Sequence, residues 1–220
     1  QIIFQNIAPI LENLSGSYEG RLVGTLSWLI NCVNNNLNKL ISEDTFLLDI
    51  ASLSSFVGLE NWHDPLLWNI AKLPFSQKYT PLYADYFLRI INAKLGRSRR
   101  CLISDLDNTL WGGVIGDDGL EGISIASGDA TGEAYLNLQK TILDLRKRGV
   151  VLAISSKNEE HIARQPFKEH PDMLIKEDHI AVFQANWSDK ASNIRLIAET
   201  LSLGLESMVF LDDNPAERMQ

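Results

Sequence analysis

The sequence predicts an α/β protein built on a parallel, doubly wound sheet. From Cys101 onward, short apolar runs of strand length alternate with longer helical patterns, the signature of βαβ units. Three of those runs end in Ser104-Asp105, Ser155-Ser156 and Leu211-Asp212-Asp213. Buried parallel strands deliver such residues at their carboxyl ends, where α/β sheets open on a ligand crevice.

The elements follow in order. Arg21 to Leu40 has helical periodicity, and Phe46 to Ile50 reads as a strand. Leu59 to Tyr83 is aromatic-rich and broken by Pro65, Pro74 and Pro81, so it is expected to be irregular with one short helix, Pro65 to Ala71. Leu82 to Leu95 is helix-like, and the basic stretch Gly96-Arg-Ser-Arg-Arg100 reads as a joint between regions 1–97 and 98–220. Beyond it come a strand at 101–104, a Gly-rich turn region, a helix from about Thr131 to Arg148 and a strand from Val150 to Ser155. Asn158 is placed to cap a helix toward Gln165. A strand at 181–184, a helix from Lys190 to Leu201 and a strand at 207–211 complete the pattern.

The bulk properties narrow the function. With 220 residues, 45% of them hydrophobic, the chain can bury a sizeable core. A formal net charge of -8 argues against nucleic-acid binding, which needs a basic face, and against a peripheral membrane role. No apolar run approaches the ~20 residues of a membrane span, and no signal peptide is recognisable. Cys32 and Cys101 form no metal or redox motif, and His63, His161, His170 and His179 lack zinc spacing. This usage suits a cytoplasmic protein. A start at Gln1 rather than Met suggests a piece of a longer polypeptide.

The chemistry concentrates after the strand at 101–104. In an extended backbone Asp105 and Asp107 would point to the same side. Their mutual repulsion would be relieved by a hard divalent cation, and one could attack phosphorus while the other moves a proton. Ser156, with Ser155 its main competitor, would hold a phosphoryl oxygen together with N–H groups at a helix start. Lys190 opens a helix, a position that disfavours cations unless an anion lies nearby. Asp212 and Asp213 end another apolar strand with two carboxylates, a composition that turns also favour.

The run from Asp105 through Asn108, Thr109, Leu110, Trp111, Gly112 and Gly113 to Gly119 resembles the first motif of the haloacid dehalogenase (HAD) superfamily, and within it the FkbH-like branch. Ser155-Ser156-Lys157-Asn158, Lys190 and Asp212-Asp213 fall where that superfamily places its later motifs. The resemblance implies a HAD-like Rossmannoid sheet without a cap domain, because no domain-sized insert follows Asp107 or Ser156. Region 1–97, through Trp62-His63-Asp64-Pro65 and Tyr83-Ala84-Asp85, resembles the later half of an SGNH-hydrolase-like domain.

The implied activity uses Mg2+ held by Asp105, Asp212 and the backbone carbonyl of Asp107. Asp105 is the nucleophile, Asp107 the acid and base, Ser156 and Lys190 the phosphoryl-binding pair, and Asp213 an orienting residue. Asn108, Thr109, Trp111, Gly112, Gly113, Ser155, Lys157 and Asn158 are the implied substrate-binding positions. FkbH-like proteins take 1,3-bisphosphoglycerate, remove phosphate and load a glyceryl or related three-carbon group onto an acyl carrier protein thiol in polyketide assembly. Relatives often carry Cys where Ser155 stands here. Cys101 lies ~13 Å up a strand from Asp105 and reads as a core residue. Three routes stay open: direct attack by the carrier thiol, an oxyester on Ser155, or altered chemistry.

Trp111 with Gly112-Gly113 has two readings: packing and tight turns, or a flap over the site. Two other function classes stand beside acyl loading, a plain Mg2+-dependent phosphatase and a non-catalytic docking module.

Overall fold

The computed structural model describes residues 2–42 and 45–219. The chain divides into two compact units, Gln1–Arg97 and Ser98–Gln220.

In the first unit, β1 (Ile2–Gln5) pairs in parallel with β2 (Thr45–Leu48), and α1 (Leu26–Leu40) connects them. The sequence pattern missed β1, which has too few residues to show a period. It also began α1 too early, because the Thr25 hydroxyl accepts from the Trp28 N–H and fixes the helix start there. The expected strand to Ile50 stops at Leu48, because Asp49 caps α2 (Ile50–Val57) by accepting from the Ser52 N–H.

The aromatic stretch is more regular than its prolines suggest. It holds α3 (Leu59–Trp62), α4 (Pro65–Ala71) and the start of α5 (Thr80–Lys94). Pro65 and Pro81 occupy first-turn positions, where a missing N–H costs no helical bond. Trp62 stacks on Phe75 with ring centroids 4.8 Å apart, and both pack with Leu48, Ile50 and Leu53. His63 bonds the Pro9 carbonyl through Nε2 and Asp64 caps α4, so both have structural partners.

The second unit is a four-stranded parallel sheet in the order β5-β4-β3-β6, formed by β3 (Cys101–Ser104), β4 (Val151–Ser156), β5 (Ile180–Ala185) and β6 (Met208–Leu211). Alternate residues face opposite sides. Leu102, Leu152 and Ile154 pack with one buried cluster, while Cys101, Ile103 and Ala153 join another with Ile197 and Ala198. The crossovers carry α6 (Ile115–Gly122, broken at Gly119), α7 (Ala130–Lys147), α8 (Glu160–Glu169) and α9 (Lys190–Leu201). Between β3 and α7 the chain forms loops and α6 with no inserted domain among the described residues.

No helix of the described residues is long and apolar enough to cross a membrane.

Candidate active site

Sheet register brings the carboxylates together. Ser104, the last residue of β3, pairs with Leu211, the last of β6. The next residues, Asp105 and Asp212, therefore emerge side by side, and the Asp105 N–H donates to the Leu211 carbonyl at 2.9 Å. Lys190, the first residue of α9, reaches both: its Nζ lies 2.9 Å from Asp105 Oδ2 and 2.5 Å from Asp212 Oδ2. All three side chains are buried. Burial pushes the Asp105 carboxyl above its ordinary range; the Lys190 ammonium opposes this shift and the Asp212 charge adds to it.

A cavity of about 200 Å³ opens here, lined by Asp105, Asp107, Asn108, Ser156, Lys157, Lys190 and Asp212 together with Asp213, Asn214 and Glu217. Carboxylate oxygens of Asp105, Asp212 and Asp213 lie within 4.8 Å of one another. Three carboxylates against one ammonium leave two negative charges, and an all-oxygen donor set suits a hard divalent cation. Asp213 thus stands within ligand reach, closer to the centre than an orienting role requires.

Asp107 corrects the extended-backbone expectation. The strand ends at Ser104, and the chain turns at once, with the Leu110 N–H bonded to the Leu106 carbonyl. Period-two reasoning fails past that point. The Asp107 carboxylate stays outside the three-carboxylate cluster and is held elsewhere. Its Oδ1 accepts from Trp111 Nε1 at 3.0 Å and the Ile115 N–H at 2.9 Å, and its Oδ2 accepts from Asn158 Nδ2 at 2.6 Å. A metal contribution from Asp107 is left to its backbone carbonyl.

Several expected substrate contacts fall elsewhere. Trp111 is fully buried, packs edge-to-face on Phe167 and cannot act as a flap. Gly112 and Gly113 serve packing and a turn. A Cβ on Gly112 would stand 3.0 Å from Tyr135 Cε2, and Gly113 has φ +93°, which favours glycine. Thr109 is buried, and its hydroxyl accepts from the Asp213 N–H.

Strand alternation turns Ser155 away from the cavity; it is fully buried and its hydroxyl has no partner among the described residues. It does not line the cavity, where a substrate contact or an oxyester would have to stand. Asn158 does not cap α8, which starts after Glu159 with no side-chain cap. Asn108 and Lys157 do reach the cavity, where Lys157 pairs with Glu217 at 2.6 Å. Cys101 is buried, and burial pushes its thiol up to about 11.

Sequence reasoning passed over Asn214, Glu217 and Arg218. The Arg218 guanidinium donates to the carbonyls of Asp212 and Asp213, and the Asn214 N–H donates to Asp212 Oδ1. Proximity to the Asp212-Asp213 pair was the available signal.

No protein-family model and no curated protein matches the chain. Among solved structures it is similar to the N-terminal part of the protein BF1531 from Bacteroides fragilis, which contains a phosphatase domain and was crystallised with Mg. The TM-score is 0.92 and the identity 38% over 99% of this chain. The fold matches. The chain spans 58% of that structure's length.

Proposed function

We propose that this protein is a Mg2+-dependent phosphatase or phosphotransferase of the HAD type with Asp105 as nucleophile. The observation that carries the reading is Lys190 bridging buried Asp105 and Asp212 at the carboxyl end of the sheet. The likeness to a Mg-complexed structure that contains a phosphatase domain supports it. Asp105, Asp212 and Asp213 would hold the ion, which when bound supplies charge that offsets the phosphoryl group.

An Asp105 carboxylate oxygen attacks phosphorus. The bond to the leaving oxygen breaks, its electron pair stays on that oxygen, and Asp107 supplies a proton. Water then attacks the aspartyl phosphate and gives its proton to Asp107, which releases phosphate and restores the Asp105 carboxylate. Ser156 Oγ already accepts from Asn158 Nδ2 at 3.1 Å, so its own O–H is free for a phosphoryl oxygen. Lys190 balances charge at the nucleophile.

The finer reading rests on the Asp105–Gly119 run. The substrate is 1,3-bisphosphoglycerate, and a glyceryl group passes to an acyl carrier protein. Asp105 takes the C3 phosphoryl group. The carrier thiolate attacks the C1 carbonyl, forming the thioester as the bond to the C1 phosphate breaks and its electron pair leaves on phosphate. Burial of Ser155 and Cys101 favours direct uptake by the carrier thiol over an acyl-enzyme. The test is phosphate release and intact carrier mass after incubation with Mg2+ and fresh 1,3-bisphosphoglycerate. Phosphate release with a mass gain on the carrier, both lost in Asp105→Asn, supports acyl loading. Release with an unchanged carrier leaves a phosphatase. Absence of both overturns the enzymatic reading in favour of a docking module.

A further inference from the structure

We infer that Asn158 is a positioning residue that aims the Asp107 carboxylate. This rests on the phosphoryl-transfer reading above and assigns a part of that machinery to a residue which itself transfers no proton.

A carboxylate only accepts, so the NH2 side of the Asn158 amide must face Asp107. Its two hydrogens go to Asp107 Oδ2 at 2.6 Å and to Ser156 Oγ at 3.1 Å. Asn158 is 5% exposed, so water competes poorly for either bond. The other carboxylate oxygen, Oδ1, is saturated by Trp111 Nε1 and the Ile115 N–H. Three of roughly four acceptor sites are thus used, and the remaining one lies on Oδ2. A transferable proton would sit there. Among the described residues, Asn158 is the side chain that fixes that oxygen.

The placement has a local cost. An Asn just before a helix commonly caps it, yet α8 begins with no side-chain cap while the Asn158 amide turns back to Asp107 and Ser156. The second bond, to Ser156 Oγ, anchors the amide so that its other hydrogen stays on Asp107.

Proton delivery matters in proportion to how poor the leaving group is. An alkoxide needs the proton; p-nitrophenolate leaves without it. The test compares Asn158→Ala with the parent chain on glycerol phosphate and on p-nitrophenyl phosphate, with Mg2+. The kcat for glycerol phosphate should fall on the order of 100-fold, within the range general acid catalysis supplies. For p-nitrophenyl phosphate the loss should stay below about threefold. In an Asp107→Asn background, Asn158→Ala should add little, because the two residues act as one unit.

Equal losses on both substrates, or independent losses in the double variant, would overturn the inference. If Asn158→Ala fails to fold, the isosteric Asn158→Asp, which sets an acceptor against an acceptor, must show the same substrate-selective loss or the inference fails. Asp105→Asn separates the two levels. If it leaves turnover intact, or the parent turns over neither ester, the phosphoryl-transfer reading falls and takes this inference with it. If it abolishes turnover while Asn158→Ala is unselective, the inference alone falls.

Discussion

Replacing Lys190 by methionine removes the ammonium between two buried carboxylates while keeping most of the side-chain volume. Asp105 is 7% exposed and Asp212 is 3% exposed, so neither recovers its lost partner from water. Removing one member of a buried ion pair costs about 3–5 kcal/mol, because it strands the other charge. Two charges are stranded here, so the upper half of that range is expected near neutral pH in the presence of a chelator. At about 1.4 kcal/mol per tenfold, amide protons of β3 and α9 should exchange roughly 700- to 4,000-fold faster.

The deficit should depend on pH. Without Lys190, whose charge opposes the effect of burial, the Asp105 carboxyl is expected to titrate further above the ~3.9 of an unfolded aspartate. The native state then binds more protons than the unfolded state between those values. Stability therefore falls as pH rises through that window, and the deficit shrinks toward pH ~4. Saturating Mg2+ should return part of the loss, about 2.7 kcal/mol at a hundredfold excess over its Kd. Adding Asp212→Asn should also recover stability. Hydrogen exchange read by mass spectrometry, with chelator and with Mg2+, tests all of these. A loss below about 1 kcal/mol, the scale of an exposed pair, that responds to neither Mg2+ nor pH would refute the reasoning.

Three further outcomes are expected. Cys101, with its thiol pushed up to about 11 by burial, should resist alkylation near pH 8 while partly exposed Cys32 reacts, and Cys101→Ala should keep phosphate release; peptide mapping and a phosphate assay check both. Gly132→Ala should destabilise by about 1–3 kcal/mol despite the better helix propensity of alanine, because its Cβ would stand 2.6 Å from the backbone of Ala126; a thermal melt gives the sign. Burial raises the Asp49 carboxyl, but hydrogen bonds from Ser52 and Asn6 outweigh it and hold the group below its usual range. Its capping contribution of about 1 kcal/mol should be present above pH ~4 and lost as pH falls through the lowered value, so the Asp49→Ala difference in urea midpoint should vanish in acid.

The sequence was most readable where one rule acts alone. β3 is a continuous apolar run, and its bounds match the pattern at 101–104. The bounds of α4 and α9 match too, because Pro65 and the Asp189 cap mark where each helix begins. Direction was less readable. Sequence shows that Ser155 and Ser156 end a strand, but which one faces the cavity depends on which face the rest of β4 buries. Trp111 shows the same difficulty: its ring lies in the core while its N–H reaches Asp107, a division of labour fixed by Phe167, more than fifty residues away. α6 escaped notice because Gly116, Gly119 and Gly122 read as turn residues. Asn158 followed the local capping rule, and the tertiary partner Asp107 overrode it.

The most direct test of Asp105 as nucleophile is chemical trapping of the aspartyl phosphate. Asp107→Asn, which slows the attack of water, would be mixed with Mg2+ and p-nitrophenyl phosphate, whose leaving group needs no proton, acid-quenched and treated with borohydride. Peptide mapping should then find homoserine at position 105. Phosphate release with an unmodified residue 105, or reduction at another residue, would contradict the assignment.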